Sequence, residues 1–367
     1  MSRQPHRNRR AEYARGAGRT VKSLGQFHGT AGPRWPMGLQ AGMAYVIPVL
    51  LGAAIGKDHL GLLAASGAFT ILHVPWLPAR ERIKVLPLVS VVLLICTALG
   101  TATSACPIVN TALLTLLAIG VGALYLAFHM GPPGPIFAVM TFGLGSHATA
   151  PVDGVRPMEP GTVIASIAVG CLISCAIAAA PLVRKNQRRV KARSLRQIQP
   201  GPDFDREARE LIMRITIVAV VGSAISMTFV DPERVYWTVG AGIGVVGMRA
   251  ARGEAARRGL HRIVGTLLGI GLFAVLVQVH WTTVALAFIL GSLQFATQVV
   301  IVRNYAAGLV FITPLALLIV TTSTGAATLP TVTERVYDTI VGALLGAATG
   351  LLHKHRPVSP APPTTAD

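Results

Sequence analysis

Acidic side chains are scarce in this chain: 15 Asp and Glu stand against 33 Lys and Arg, and charged residues of both signs make up only 13%. Where the acids fall excludes several functions. Asp58, Asp153, Glu159, Asp231, Glu233, Glu334 and Asp338 lie at the predicted outer ends of apolar runs, and Glu81, Glu207, Glu210 and Glu254 at inner ends. On that reading no carboxylate occupies mid-membrane, where a proton-coupling acid is expected. No pair of acids is placed for general acid–base work, so an enzyme is not expected. The phosphate-cradling pattern GxxxxGK[ST] is absent as well, which excludes ATP hydrolysis by a P-loop. The four cysteines (Cys96, Cys106, Cys171, Cys175) show no metal-ligand spacing. Cys171 and Cys175 share a helix face and read as small buried thiols. No cofactor and no metal are expected. Met1 to Pro36 is basic and Gly-rich and lacks the apolar core of a cleavable signal.

Apolar sequence is what the chain has in quantity. Hydrophobic residues make up 52%, and the mean hydropathy is +0.58. Repeated apolar runs of roughly 20 residues mark polytopic membrane helices. Twelve are predicted: 37–56, 59–77, 83–103, 108–128, 134–149, 161–183, 211–230, 235–249, 259–280, 282–302, 305–323 and 334–353. The net charge of +18 is then a matter of topology. Of 33 Lys and Arg, 28 fall in segments predicted on one side: before Trp35, around Arg82, within 184–209, around Arg257, and at Arg303, Lys354 and Arg356. That asymmetry follows the positive-inside rule and excludes a nucleic-acid groove. The expected organisation is a disordered basic cytosolic arm (1–34) able to lie on anionic headgroups, a first membrane unit (35–183), a basic cytosolic linker (184–209), a second unit (210–353) and a disordered tail (354–367).

The segment from Val235 to Gly269 organises the rest. Two apolar runs flank a turn carrying Arg249, Arg252, Arg257, Arg258 and Arg262, a hairpin whose bend stays in the cytoplasm. A looser copy runs from Leu60 to Gly100, about 177 residues earlier, and aligns Arg80 with Arg257 and Gly67 with Gly244. Further on, His129 to Gly143 aligns with Arg303 to Leu317. Two basic elbows on the same side require an even number of crossings per copy. The predicted fold is therefore an all-α polytopic membrane protein of about twelve transmembrane helices, built as two parallel six-helix repeats with both termini cytoplasmic.

Short or Gly/Pro-interrupted spans at matching places in two halves point to a substrate site. Spans two, five, eight and eleven qualify, either as broken helices lining a polar cavity or as helices extended by neighbouring residues. Within span eleven, Pro314 frees a backbone carbonyl, and Thr313 either re-satisfies it or faces the substrate path. At its mouth, Arg303, Asn304 and Tyr305 read as an anion attractor, an amide and a stacking ring, or as a positive-inside arginine beside an interfacial tyrosine. Tyr236 and Trp237 carry the same two readings. Arg214 is explained by Glu210 one turn earlier or by snorkelling. Arg262 and Lys84, at comparable places in the halves, would form an anion funnel about the pseudo-axis. Gln294 and Gln298 with Thr297 make a polar stripe, for interhelical hydrogen bonds first and a polar path second.

Tyr236 and Trp237, the stretch ARRGLHRIVGTLLG from Ala256, RNYAAGLVFITPLAL from Arg303 and ERVYDTIVGALLGA from Glu334 together resemble the fusaric-acid-resistance-like (FUSC-type) integral membrane transporters, related to aromatic acid exporters. The resemblance covers most of 225–350, and the first half looks like a diverged copy. It implies a two-unit, all-helical plasma-membrane protein that moves aromatic-carboxylate-like anions outward. The chain departs from the usual pattern in reading GVVGMRAARG after span eight and in having a short linker where many relatives carry a soluble domain. A link to plant anion channels keeps a passive anion pore as an alternative. A membrane scaffold recruiting partners through the arm and linker is another. The expected partners are the lipid bilayer and a small organic anion; nucleic acid is not one, and homodimerisation is left open.

Overall fold

The computed structural model describes residues 18–30, 32–248, 252–324 and 328–352. Twelve apolar helical segments follow one another. The first six are α1 (Trp35–Ala54), α2 (Asp58–Ala65, continued as a 3-10 helix over Ser66–Leu72), α3 (Ala79–Thr103), α4 (Pro107–Ala127), α5 (Ile136–Thr149) and α6 (Pro160–Ala179). The second six are α7 (Arg206–Phe229), α8 (Val235–Val246), α9 (Arg252–Leu276), α10 (Thr283–Val300), α11 (Tyr305–Thr324) and α12 (Thr328–Thr349). Among the described residues nine helices are long and apolar enough to cross a membrane, and α2, α5 and α8 are shorter. Of the twelve expected spans, the shortness foreseen for the second, fifth and eighth is present, and nine are membrane-length. Prolines and glycines set the short ones. His73-Val74-Pro75 ends α2 with Val74 at positive φ, Gly-Pro-Pro-Gly-Pro precedes α5, and Gly247, at φ 66°, ends α8. Span eleven, expected to be interrupted, is a continuous 20-residue helix with Pro314 inside it.

A long apolar helix in this chain is half core and half exterior. Along α3, Leu88, Val91, Ile95 and Leu99 stand exposed at helical spacing, while Val85, Leu86, Val89 and Leu93 are buried. An exposed apolar stripe of this kind is what lipid would cover. Within the first six helices α3 packs on α5, α2 on α6, and α1 on α2. In the second six α9 packs on α11, α8 on α12, and α7 on α8. Across the two sets α1 lies along α10 and α4 along α7, with α5 against α8 and α2 against α11. Small residues allow the tightest approach. Gly67 meets Gly170 backbone to backbone, and a Cβ on Gly67 would run into the main chain of Gly170 and Cys171.

The described part of the N-terminal arm and the linker fold back onto this body. Residues 18–30, part of the arm expected to be disordered, dock instead: Ser23 Oγ bonds His261 Nε2 at 2.8 Å, and His28 N donates to Arg303 O at 3.0 Å. Residues 1–17 of the arm, Arg249 and the tail over 354–367 lie outside the described residues. The linker packs on the start of α3. Buried Glu81 accepts from Arg193 N, Nε and Nη2 at 2.9, 3.0 and 2.8 Å, and Arg80 donates to the carbonyls of Arg188 and Val190. Those hydrogen bonds and the adjacent carboxylate charge hold the Arg193 guanidinium above its ordinary pKa.

Gly170→Val is expected to destabilise the fold by about 1–3 kcal/mol, as overpacking of a close contact does. Thermal unfolding in detergent would report a lowered Tm; an unchanged Tm would mean that α2 and α6 do not meet as closely as described.

Candidate functional site

Helix α8 is the innermost element. Every one of its twelve residues except Gly244 is buried. At about 18 Å it cannot cross a hydrocarbon core of about 30 Å, so its terminal carbonyls end inside the protein and need partners there. Arginines on α9 supply them. Arg258 donates to Gly244 O through Nη2 at 2.7 Å and Nε at 3.2 Å. Its guanidinium lies over the Tyr305 ring at 4.4 Å. Arg262, one turn further along α9, donates Nη1 to Tyr305 Oη at 2.9 Å, and Tyr305 Oη in turn donates to Gly244 O at 3.4 Å. Residue 244 has to be glycine for this: an added Cβ would lie 2.5 Å from Arg262 Nη1 and 3.2 Å from Tyr305 Oη. Cations at a helix C-terminus also complement its dipole.

The other end of α8 carries a second group. Tyr236 and Trp237 are buried, with Tyr236 set against Gly143 of α5, so neither is an anchor at the lipid interface. Trp237 lies between two guanidinium groups, Arg234 at 5.3 Å and Arg335 at 4.9 Å from its ring centroid. Arg234 pairs with Glu334 and, at 3.8 Å, with Asp231. Thr238 donates to Asp338 Oδ1. Asp338, placed at an outer edge by sequence, lies midway along α12 and is 0% exposed. The expected place at the edge of an apolar run is corrected to a buried one, midway along a membrane-length helix. Arg335, 7% exposed, sits within electrostatic reach of Arg262, Tyr305, Tyr236 and Asp338, so the two ends of α8 belong to one polar core.

That core has polar capacity to spare. Arg262 Nε, Arg335 Nε, Asp338 Oδ2, Thr266 Oγ1, Thr313 Oγ1 and Thr339 Oγ1 are buried and find no hydrogen-bond partner among the described residues. Buried polar groups are normally satisfied, so a cluster of exceptions on three neighbouring helices marks a place for a polar guest. Guanidinium donors beside Trp and Tyr rings suit a carboxylate carried on an apolar or aromatic body. Among the described residues no group of three His, Cys, Asp or Glu is placed to hold a metal ion.

The corresponding region of the first six helices is ringed by aromatic side chains. Arg82 of α3, buried, donates Nη2 to Ile71 O at 2.7 Å and Nη1 to Gln40 Oε1 at 2.8 Å, capping the end of the α2 segment as Arg258 caps α8. Around it Phe69 stacks on Phe137 at 4.3 Å, and His73 bonds Tyr125 Oη at 3.2 Å. Rings fill the space that charges occupy in the second unit.

Of the residues singled out by sequence, Arg262, Tyr305, Tyr236 and Trp237 come together here. Thr313 is buried against Gly269 of α9, and Pro314 is buried in α11. Asn304 serves structure: Oδ1 accepts from Ala307 N at 3.0 Å, and Nδ2 donates to Leu24 O and Gln26 O at 2.7 and 3.1 Å. Arg303 is half-buried beside that docked arm. Lys84 does not join the core. It is exposed and donates to Arg193 O at 2.6 Å, because the inward-facing register on α3 belongs to Arg82. Gln294 is buried and Gln298 half-buried on α10, the helix that packs along α1. Arg214, expected near a headgroup, is 0% exposed and donates to Thr349 Oγ1 at 3.1 Å and Gly346 O at 3.4 Å. Arg258, Arg335, Asp338 and Arg82 are the functional or anchoring residues that sequence reasoning passed over. Arg335 and Asp338, ionisable and three apart in an otherwise apolar run, carried a legible signal.

Fold and core together define an integral membrane protein, all-helical over the described residues, with a cluster of buried guanidinium groups among its second six helices. Residues 216–349 match the family described as Fusaric acid resistance protein-like. Among curated proteins, an uncharacterized membrane protein, YvaC, of Bacillus subtilis (strain 168) is 30% identical over 126 residues. The match covers 34% of this chain and spans 20% of that protein's length. No solved structure matches the chain.

Asn304→Ala removes both the cap of α11 and the arm's anchor. It is expected to cost about 1 kcal/mol of stability and to speed tryptic cleavage after Lys22 several-fold in limited proteolysis. Equal cleavage rates in the two proteins would show that the arm is held by other contacts.

Proposed function

We propose that the protein is a multi-pass transporter of small organic anions in the plasma membrane, moving aromatic-carboxylate-like substrates outward along a path lined by Arg262, Arg335, Tyr305 and Trp237. One observation carries this reading: two buried guanidinium groups beside aromatic rings each keep an Nε with no partner among the described residues. A membrane interior tolerates such groups where they serve a substrate or ion pathway. Arg258 has a different part, since its hydrogen bonds to Gly244 O hold the end of α8. The scaffold alternative loses ground because the described part of the arm, and the linker, fold back onto this same chain.

The architecture that fits this path is a pair of parallel six-helix units with both termini cytoplasmic. Support comes from the packing: α3–α5, α2–α6 and α1–α2 correspond in order to α9–α11, α8–α12 and α7–α8. The arginine caps correspond too, Arg82 on Ile71 O and Arg258 on Gly244 O. Arg80→Cys and Arg257→Cys, introduced singly, are expected to react with a membrane-impermeant thiol reagent only from the cytoplasmic side. Labelling from opposite sides would rule out parallel units.

Arg262→Ala and Arg335→Ala are each expected to lower the flux of benzoate in proteoliposomes at least tenfold, with membrane insertion and oligomeric state unchanged. Lys84→Ala, which leaves the core intact, is expected to alter flux less than twofold. Wild-type rates in both arginine variants would remove these residues from the path. Unitary currents in a planar bilayer reversing at the anion equilibrium potential would replace the carrier by a channel.

A further inference from the structure

We propose that Asp338 is a proton-binding site inside the anion path, and that proton and organic anion bind together because substrate and Asp338 compete for one guanidinium, that of Arg335. The proposal rests on the anion-transport reading above and adds a coupling ion to it.

The geometry supports two alternative states of the carboxyl. Asp338 is fully buried midway along α12, receives one hydrogen bond from Thr238 at Oδ1, and has no partner at Oδ2 among the described residues. An ionised carboxylate in such a place, with half its capacity unmet and no cation in contact, is strongly disfavoured. A protonated one needs far less. Arg335 lies one turn earlier on the same face of α12. No ion pair joins it to Asp338 among the described residues; it is turned instead onto the Trp237 ring. In this arrangement Asp338 suits the neutral form and Arg335 is free for an external carboxylate. If the guanidinium swings back, it stabilises an ionised Asp338 and the substrate loses its partner.

The surrounding charges leave that exchange to these two residues. On α12 itself, Glu334 is engaged by Arg234, which also faces Asp231. From α8 come Tyr236 and the Thr238 hydroxyl, from α9 Arg262, and from α11 Tyr305, which is hydrogen-bonded to Arg262. On α7, Arg214 is tied to Thr349 and Gly346 at the far end of α12. The first unit has no counterpart, since α6 contains no Asp, Glu, Lys or Arg. The step balances simply. A proton from the bath adds to Asp338 as the substrate carboxylate takes its place on Arg335, and both are released on the other side. Movement of a monocarboxylate with one proton is electroneutral, so its outward flux follows the combined anion and proton gradient and is insensitive to membrane potential.

Two readouts on the full-length protein in detergent test this. The first is infrared titration with pH. A protonated-carboxyl band is expected in the wild type and is missing in Asp338→Asn, with the circular dichroism of both unchanged; the same band in both proteins would overturn the assignment. The second is proton uptake in weakly buffered solution on adding benzoate, at a pH above the midpoint of that titration. About one proton per benzoate bound is expected in the wild type and none in Asp338→Asn, which should still bind benzoate. Binding without proton uptake in the wild type would overturn the coupling. Failure of benzoate to bind at all, with the infrared titration as expected, would count against the anion-transport reading while leaving the proton site standing.

Discussion

A helix too short to cross a membrane cannot leave its last carbonyls facing lipid, and the contact between Arg258 and Gly244 O answers that constraint. Because α8 ends inside the protein, cations are drawn to its C-terminus, and because those cations are buried, aromatic rings and hydroxyls gather around them. Tyr305 is held by both arginines, and Gly244 is a glycine so that Arg262 can come close. The same logic is visible in the first unit, where Arg82 reaches the carbonyl of Ile71. Most of what is unusual in the core follows from one structural economy, a short helix whose end is satisfied by guanidinium groups instead of water.

The two units diverge in what surrounds that cap. In the first, Phe69, Phe137, His73 and Tyr125 pack the space with rings. In the second, Arg234, Arg262, Arg335 and Asp338 surround it with charge. The first six helices thus enclose a largely aromatic core and the second six a charged one. The matched family region, 216–349, coincides with the charged half.

Charge outside the core is used structurally. Glu81 is buried and receives three hydrogen bonds from Arg193, so the basic linker is fastened to α3 rather than trailing from it. Asn304 and His261 do the same for residues 18–30. Both attachments sit beside the basic elbows, where any movement of α3 or α9 would be transmitted to them.

Sequence alone determined that the chain is helical and membrane-embedded, because apolar run length and the clustering of basic residues are local properties that lipid and translocation read directly. It also located the short segments at α2, α5 and α8, since Pro and Gly act on their own backbone. What it missed depends on helix register. Lys84 and Arg82 differ by two positions, and only packing reveals that Arg82 turns inward while Lys84 faces out. Arg214 and Asp338 looked peripheral because distance along the chain to an apolar boundary was taken for depth. The tertiary structure buried both, since α12 runs on beyond its predicted start and is enclosed by α8 and α9. Which arginine meets which ring was decided by the contact of helices far apart in sequence, and no local pattern encodes that.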